Sequence, residues 1–441
     1  METLLNRDPI VIVGGGLSGL AAALRLSSSH IPVLLLEQRP VLGGRASSFT
    51  DTSTGDVVDN GQHLLIAGYT RTLAFAEAVG SRHLLRVQEH PLLSFYRPGK
   101  GFAEFRIRRL PSPLHLIQTI LTSSLFTGRE RSDVLRAGID ILRATHTEHG
   151  PGEGKTVAEW LNQRRQPDGV RSAFWIPLAA SIMNERIETA SAALFLHALH
   201  VAFLGHWHHA ALVFPEAGLS RIFAEPAAEV ITNRGGMIRC NADVRTLEMD
   251  GGTVRNVCLR DGTTVPCRSV ILAVPQNRAV ELYPPACVRP VGVEEGLVAN
   301  VSPIVSMHLW FDDPFMDRDA VGLIGRTVHW VFRKNTHVSV VISAAHDLVE
   351  RSREELVRLA VEDLREVFGR GVGQPRHALV IREKRATVSL TPDSARRRPG
   401  AATAVQNLFL AGDWTNTGLP ATIEGAILSG ENAAELALKR G

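Results

Sequence analysis

The chain has 441 residues, of which 44% are hydrophobic and 21% are charged. This composition excludes a disordered or fibrous chain, and the length favours two domains with a large buried core. The formal net charge is only +3, so the composition gives no indication of nucleic-acid binding.

The first predicted element is a short buried strand at residues 10–13, which ends in a glycine-rich turn at residues 14–19. A helical pattern of small and apolar residues follows, and a second buried strand at residues 33–36 ends at Glu37. A strand, a tight glycine turn, a helix and a second strand predict a βαβ unit.

The glycine spacing within this unit predicts a dinucleotide site. Gly14 permits the tight turn, Gly16 lets the backbone approach a pyrophosphate, and Gly19 allows the helix to pack closely on the strand. The pyrophosphate would meet the positive N-terminus of the helix, and the Glu37 carboxylate would accept hydrogen bonds from ribose hydroxyls.

The rest of the chain mixes helical and strand patterns. Apolar spacing predicts helices at residues 69–79, 114–126, 156–204, 354–368 and 423–438. Alternating or continuous apolar runs predict strands at residues 103–107, 237–244, 254–259, 265–274, 305–311, 328–343 and 408–411. The strand-rich middle and the strand–helix end can both join the first βαβ unit, which predicts an α/β fold with a discontinuous Rossmann-like domain.

Cysteine usage and hydropathy predict a cytoplasmic protein without a spanning helix. Cys240, Cys258, Cys267 and Cys287 form no CxxC pair and no zinc-type spacing, so we expect reduced thiols. No basic segment with a cleavage site opens the chain, so no signal peptide is predicted, and the longest nearly apolar stretch, residues 191–205, is too short to cross a bilayer.

Five histidines between residues 197 and 209 are candidate metal ligands: His197, His200, His206, His208 and His209. No carboxylate or cysteine completes a ligand set beside them. No metal site is therefore predicted.

Two further motifs are similar to those of flavoproteins in the amine oxidase and phytoene desaturase superfamily. They are residues 41–45, Val-Leu-Gly-Gly-Arg, and residues 407–413, Asn-Leu-Phe-Leu-Ala-Gly-Asp. The resemblance implies FAD as the cofactor. Arg45 is suited to neutralise a phosphate and Asp413 to bind a ribityl hydroxyl.

Three more segments resemble plant-type carotenoid desaturases and squalene-associated FAD-dependent desaturases, the subgroup of hydroxysqualene dehydroxylases. They are residues 59–63, 174–178 and 418–426, and the resemblance runs from about residue 9 to residue 435. It implies reductive removal of the allylic hydroxyl of hydroxysqualene, with an isoprenoid lipid as substrate and an unidentified reductant of the flavin. The segment at residues 215–218, Pro-Glu-Ala-Gly, departs from the Gly-Gly pair usual after this proline.

The motifs and the resemblance together predict the site residues. Two catalytic candidates, His63 and Glu424, are chosen because they adjoin flavin motifs. The predicted FAD-binding residues are Gly14, Gly16, Ser18, Gly19, Glu37, Gln38, Gly44, Arg45, Gly61, Gln62, Val244, Gly412, Asp413 and Ile423.

The predicted organisation is an FAD-binding domain and a mixed α+β substrate-binding domain. The first comprises residues 1–90, 215–290 and 400–441, and the second comprises residues 91–214 and 291–399. Within the second, residues 114–126 predict a helix with seven apolar residues in thirteen, flanked by Arg106, Arg108, Arg109, Arg129 and Arg131. This helix is expected to lie in the membrane interface, on the cytoplasmic face, with a core helix as the alternative.

Three other functions stay open on this scaffold. A carotenoid-type desaturase would remove hydride instead of delivering it. An amine oxidase is disfavoured because Tyr69, Tyr96 and Tyr283 are the only tyrosines, and none adjoins the C-terminal motif. A carrier similar to GDP-dissociation inhibitors would hold prenyl chains without catalysis, and the intact flavin motifs argue against it.

Overall fold

A computed structural model describes residues 8–145, 150–284 and 300–440 of the chain. Cys287 and the predicted domain boundary at residue 290 lie outside these ranges. The strands are β1 (Ile10–Val13), β2 (Val33–Leu36), β3 (Ser48–Thr50), β4 (Val57–Asp59), β5 (Leu65–Ile66), β6 (Leu85–Val87), β7 (Leu92–Arg97), β8 (Gly101–Arg106), β9 (Leu212–Pro215), β10 (Met237–Arg239), β11 (Val244–Asp250), β12 (Thr253–Leu259), β13 (Thr264–Pro266), β14 (Ser269–Leu272), β15 (Val301–Trp310), β16 (Ala320–Leu323), β17 (Trp330–Arg333), β18 (Val338–Ile342), β19 (His377–Val388) and β20 (Leu408–Leu410).

The helices lie within the same described residues. They are α1 (Leu17–Ser27), α2 (Thr70–Ala78), α3 (Leu114–Thr122), α4 (Gly128–Arg143), α5 (Val157–Gln163), α6 (Asp168–Val170), α7 (Ile176–Met183), α8 (Ala192–Phe203), α9 (Glu225–Asn233), α10 (Gln276–Leu282), α11 (Arg353–Phe368), α12 (Pro392–Arg396) and α13 (Ile423–Arg440).

A five-stranded parallel sheet in the order β10-β2-β1-β14-β20 forms the centre of the nucleotide-binding part. Its strands come from three separated stretches of chain, as a discontinuous Rossmann-like fold requires. All four residues of β1 are buried, because a parallel sheet is covered on both faces. The predicted α/β fold class is confirmed.

Helices α1 and α13 pack against each other on one face of this sheet. The contact is so close that a Cβ at Gly430 would lie 2.0 Å from the Ser18 carbonyl oxygen. Only glycine permits that distance. The first and last helices of the chain are thereby joined beside the glycine-rich turn.

A second sheet, in the order β19-β15-β18-β17-β16-β7-β8, is antiparallel except for the β16–β7 pair. Along β15, Val305 and Met307 pack against α11, whereas Ile304 and Ser306 face a large cavity. The period-two alternation of a strand thus separates a core face from a cavity face. The alternation predicted at residues 103–107 is confirmed, since Ala103, Phe105 and Ile107 are all buried.

A helical layer made of α3 to α8 packs beside the second sheet around Trp160, Trp175 and Phe195. The continuous helical pattern predicted for residues 156–204 is wrong in part, because separate helices occupy that range. Asn184 takes a left-handed conformation with φ of 48° and ends α7, and Ser191 caps α8.

The helix predicted at residues 114–126 is shorter than expected, because α3 ends at Thr122 and Ser123 is extended. Leu125 and Phe126 lie beyond its end and are buried in the core, with 1% and 3% of their surface exposed. The spacing of apolar residues could not reveal this exit from the helix. Within the described ranges, no helix combines the length and the hydropathy needed to cross a membrane.

The predicted domain boundaries stay a proposal. The parallel sheet uses only strands assigned to the FAD-binding domain, and the seven-stranded sheet uses only strands assigned to the substrate-binding domain. Strand β9 spans the proposed boundary at residue 215 and pairs with β5 and β6, so the two parts share a small third sheet.

His329, just before β17, makes the stability of the second sheet sensitive to acid. Its Nδ1 accepts a hydrogen bond from the Ser343 amide, and burial lowers its pKa to about 4. The unfolded chain binds this proton near pH 6.5, so stability is lost as the pH falls from 6.5 towards 4. We expect His329 to contribute a loss of about 2 kcal/mol between pH 7 and 5.

Urea unfolding at both pH values measures this loss. The variant His329→Gln should lose less stability on acidification than the wild type, while His83→Gln, at an exposed histidine, should keep the wild-type loss. Equal losses in all three proteins would contradict the role of His329.

Candidate functional site

A cavity of about 840 Å³ lies at the carboxyl ends of the parallel strands. It begins at Gly14 after β1 and Glu37 after β2, and continues past Ala273 after β14 to Gly412 after β20. Parallel α/β sheets bind their ligands at this edge. The far wall is formed by the cavity face of the seven-stranded sheet, including Ser306 and Trp330.

Each glycine of the turn meets the requirement predicted for it. Gly14 has φ of +109°, and a Cβ there would lie 2.4 Å from the Ala273 carbonyl oxygen. A Cβ at Gly19 would lie 1.9 Å from the Gly14 carbonyl oxygen, whereas a Cβ at Gly16 would meet no atom within 4 Å among the described residues. Gly16 therefore faces open cavity space at the start of α1, where a pyrophosphate would bind.

Glu37 is held by two backbone amides. Its Oε2 accepts from the Gly15 N–H at 2.6 Å, and its Oε1 accepts from the Arg39 N–H at 2.8 Å. Each carboxylate oxygen keeps lone-pair capacity towards the cavity that it lines. This geometry suits a ribose diol.

Arg45 and Asp413 form an ion pair, with 2.7 Å between Arg45 Nη2 and Asp413 Oδ1. Arg45 also donates to the Ala386 carbonyl, and Asp413 is the main cause that raises the pKa of Arg45. The sequence predicted separate contacts of the two side chains with a phosphate and a ribityl hydroxyl, but it did not predict that they bind each other.

Most of the predicted site residues line this one cavity. They are Gly14, Gly16, Ser18, Glu37, Gln38, Gly44, Arg45, Gly61, Gln62, His63, Val244, Gly412, Asp413 and Ile423. Gly19 does not line it, because Gly19 packs on the turn itself. Glu424 does not line it either and lies at a second cavity.

One side-chain oxygen of Gln62 is available to bind a ligand. Its Oε1 is buried and has no hydrogen-bond partner among the described residues, while its Nε2 donates to the His63 carbonyl. Buried acceptors are rarely left unpaired. A cofactor that presents an N–H to this part of the cavity would satisfy it, as the edge of a flavin ring does.

His63 lines the same cavity as an uncharged imidazole. Burial lowers its pKa, and the nearby Asp59 carboxylate opposes this shift only in part. At neutral pH the ring can therefore accept a proton or donate one N–H hydrogen bond, but it holds no acidic proton.

Glu424 anchors two helices to each other in this geometry. Its Oε1 accepts from the Arg71 N–H at 2.9 Å, and its Oε2 accepts from the Thr72 N–H and hydroxyl at 2.8 and 2.7 Å. These three bonds tie the start of α13 to the start of α2. The carboxylate thus accepts hydrogen bonds from α2 in this geometry, and the catalytic role expected for Glu424 from the sequence stays a prediction.

Arg398 is a site residue that the sequence did not reveal. Its buried guanidinium donates to the carbonyls of Asp413, Trp414, Thr415 and Leu419. Burial lowers its pKa to about 10. Within the basic run at residues 396–398, no sequence signal distinguishes the residue that folds inward to hold the C-terminal loop.

A second cavity, of about 280 Å³ and largely apolar, adjoins the first. Helices α3, α4, α7 and α8 and the segment just before α7 supply much of its wall, including Ile120, Phe174 and Phe203. Residues 174–178, which resemble part of a substrate-binding domain in the sequence, contribute to the wall of this second cavity. Tyr69 lines both cavities, and no motif in the sequence marks it as a site residue.

The histidines of residues 197–209 make contacts within the protein. His197 Nδ1, His200 Nδ1 and His208 Nε2 each bond to a backbone carbonyl at 2.8 to 2.9 Å. Over the ranges that the structure describes, no group of three or more histidine, cysteine or acidic side chains could hold a metal ion.

The glycine turn at a parallel sheet edge, the carboxylate after β2 and the Gly-Asp loop after β20 define an FAD-dependent oxidoreductase. A family model described as flavin containing amine oxidoreductase matches residues 17–438. The chain belongs to this family, and FAD is its cofactor.

Individual relatives were found as well. A hydroxysqualene dehydroxylase of Sinorhizobium fredii is 31% identical over 433 residues, which cover 97% of each chain. A chloroplastic and chromoplastic 15-cis-phytoene desaturase of Narcissus pseudonarcissus is 25% identical over 97% of this chain and 78% of its own. The solved structure of cyclohexylamine oxidase from Brevibacterium oxydans superposes with a TM-score of 0.74 over 98% of this chain and 99% of its own, at 16% identity. It therefore shares the fold.

The open space above Gly16 predicts how the cofactor can be removed. Gly16→Val should abolish FAD retention, because the branched side chain would occupy the space of the pyrophosphate. Absorbance of the purified protein near 450 nm, set against its protein content, measures flavin occupancy (about one FAD per chain for the wild type).

The matched control is Gly373→Val, since a Cβ at Gly373 also meets no atom within 4 Å and this glycine does not line the cavity. Gly373→Val should keep its flavin. Full occupancy in Gly16→Val would contradict the assignment of the turn.

Proposed function

We propose that the chain removes the allylic hydroxyl of hydroxysqualene and releases squalene, in the isoprenoid lipid synthesis that leads to squalene and hopanoids. The observation that carries the proposal is the 31% identity to a hydroxysqualene dehydroxylase over 97% of both chains. The apolar second cavity beside the flavin cavity supports a hydrocarbon substrate.

The reaction replaces one C–O bond by a C–H bond, and it consumes one proton and one hydride for each water released. Bound FAD in its reduced form supplies the hydride, and an unidentified reductant restores that form. The protein must hold the hydrocarbon in an apolar space, orient its hydroxyl towards the flavin cavity and exclude bulk water.

The chain's own residues divide these tasks. Ile120, Phe174 and Ile182 contribute to the apolar wall that would hold the hydrocarbon. His63 stays our candidate for moving a proton at the hydroxyl, since it lines the flavin cavity. Its lowered pKa means that any proton it delivers must first be taken up from another donor.

A carotenoid-type desaturase is the second candidate. It is favoured by the similarity to phytoene desaturases, at 25% identity over 97% of this chain. It is the weaker candidate, because the identity is lower and the match covers only 78% of that longer relative. Both candidates use the same cavity but need opposite flavin states.

The direction of hydride transfer can therefore be measured. Anaerobically reduced enzyme mixed with hydroxysqualene should regain the absorbance of oxidised flavin, and squalene should appear in an amount equal to the flavin oxidised. Stopped-flow absorbance and mass spectrometry of the extract provide the two readouts. Gly16→Val protein treated identically is the control and should form no squalene.

Bleaching of oxidised enzyme on anaerobic mixing with phytoene or squalene would contradict the reductive assignment. In that case the desaturase would become the proposed function.

Peripheral contact with the cytoplasmic face of a membrane is also part of the proposal. Leu114 and Leu121, on α3, are about half exposed at 52% and 48%, and they lie seven residues apart on one helix face. Arg108 and Arg109, exposed just before α3, could meet anionic headgroups. The same helix lines the apolar cavity through Leu116 and Ile120, which gives a lipid substrate a short route inward.

We expect Leu114→Glu with Leu121→Glu to lower co-sedimentation with phosphatidylglycerol vesicles severalfold, because two carboxylates would replace the exposed apolar face. Flavin content should be unchanged, since neither residue lines the flavin cavity or the apolar cavity. Leu125 is unsuitable for this test because it is buried in the core.

The charge-matched control is Val57→Glu with Met237→Glu. These are exposed apolar positions on strands β4 and β10. This double variant should bind vesicles like the wild type. Equal losses in the two double variants would indicate an effect of net charge alone and contradict a contact through α3.

A further inference from the structure

The flavin cavity and the apolar cavity meet at a short junction. Six residues line both cavities: Leu64, Tyr69, Ser181, Ile182, Trp330 and Thr422. A long hydrocarbon with a single hydroxyl must present that hydroxyl here if its tail fills the apolar cavity and its reacting carbon faces the flavin. A hydroxyl withdrawn from water needs a hydrogen-bond partner at this point.

Four of the junction side chains carry polar groups, and three of these groups are already engaged. Trp330 Nε1 donates to Ser181 Oγ at 2.8 Å, and Ser181 Oγ donates to the Pro177 carbonyl at 2.7 Å. Thr422 Oγ1 donates to the Pro420 carbonyl at 3.3 Å and accepts from the Gly425 N–H at 3.1 Å.

The fourth polar group at the junction is the Tyr69 hydroxyl. None of the described residues provides a hydrogen-bond partner for it. The residue is fixed by its backbone, because its N–H donates to the Ile66 carbonyl and its own carbonyl accepts from the Leu73 N–H at the start of α2. Burial raises the pKa of the phenol, and Glu424 raises it further. The hydroxyl therefore stays protonated and available as a donor over the physiological pH range.

We propose that the Tyr69 hydroxyl donates a hydrogen bond to the substrate's allylic hydroxyl, which makes Tyr69 the residue that distinguishes the alcohol from the hydrocarbon product. This inference rests on the proposed function. Squalene lacks the oxygen and cannot use the donor, so the contact favours binding of substrate over product. The bond also directs the carbon that bears the hydroxyl towards the flavin cavity.

Tyr69→Phe tests the inference, because it removes only the oxygen and keeps the ring at the junction. Binding of hydroxysqualene and of squalene to the oxidised holoenzyme is measured by the change in flavin absorbance. Affinity for hydroxysqualene should fall about tenfold while that for squalene stays the same, since one hydrogen bond to a neutral group is lost. A merely structural role would change both affinities together.

One control variant accompanies the test. Tyr96→Phe removes a phenol that lines neither cavity, and it should leave the ratio of the two affinities unchanged.

Three outcomes would overturn the inference. If the wild type converts hydroxysqualene to squalene and Tyr69→Phe keeps the wild-type affinity ratio, Tyr69 is not the selecting residue, although the proposed function stands. If Tyr69→Phe loses its flavin, the hydroxyl serves the cofactor site. If the wild type neither prefers nor converts hydroxysqualene, the proposed function is wrong, and the inference is wrong with it.

Discussion

The closure of the cofactor site depends on one contact between the two ends of the chain. Arg45 and Asp413 are 368 residues apart in sequence and form an ion pair at 2.7 Å. Because 40% of the Arg45 side chain is exposed, the pair contributes little to overall stability. Its importance is geometric, since it joins the loop after β2 to the loop after β20 and brings the two flavin motifs onto one cavity.

Asp413 can take this position because a second arginine fixes its backbone. Arg398 donates to the Asp413 carbonyl while Arg45 binds the Asp413 carboxylate. The close approach of Gly430 to Ser18 then packs α13 on α1. The C-terminal segment is thus held from its loop and from its helix, which explains how a domain built from three stretches of chain presents a single ligand site.

Local features of the site were predictable from the sequence, and features made by distant partners were not. Gly14, Gly16 and Gly19 were predicted because the demands on them arise within one strand–turn–helix unit. Arg398 was missed because its acceptors are backbone carbonyls 15 to 21 residues away, which no side-chain pattern marks. Leu125 was misassigned because an apolar residue in helical spacing looks the same whether the helix continues or ends.

The flavin motifs alone cannot distinguish reductive from oxidative chemistry, since both directions of hydride transfer need the same binding site for the same cofactor. What differs is the substrate: an alcohol brings an oxygen that must be bound and released, and a polyene hydrocarbon brings none. The discriminating group must therefore lie where the apolar cavity opens onto the flavin cavity. A hydroxyl that is already engaged does not distinguish the two substrates. A free donor favours the alcohol, because only the alcohol carries an oxygen that can accept its hydrogen bond. The inferred selectivity is thus set by hydrogen bonding at the junction, where the free donor belongs to Tyr69, a residue outside the segments at 59–63 and 418–426 that resemble the family.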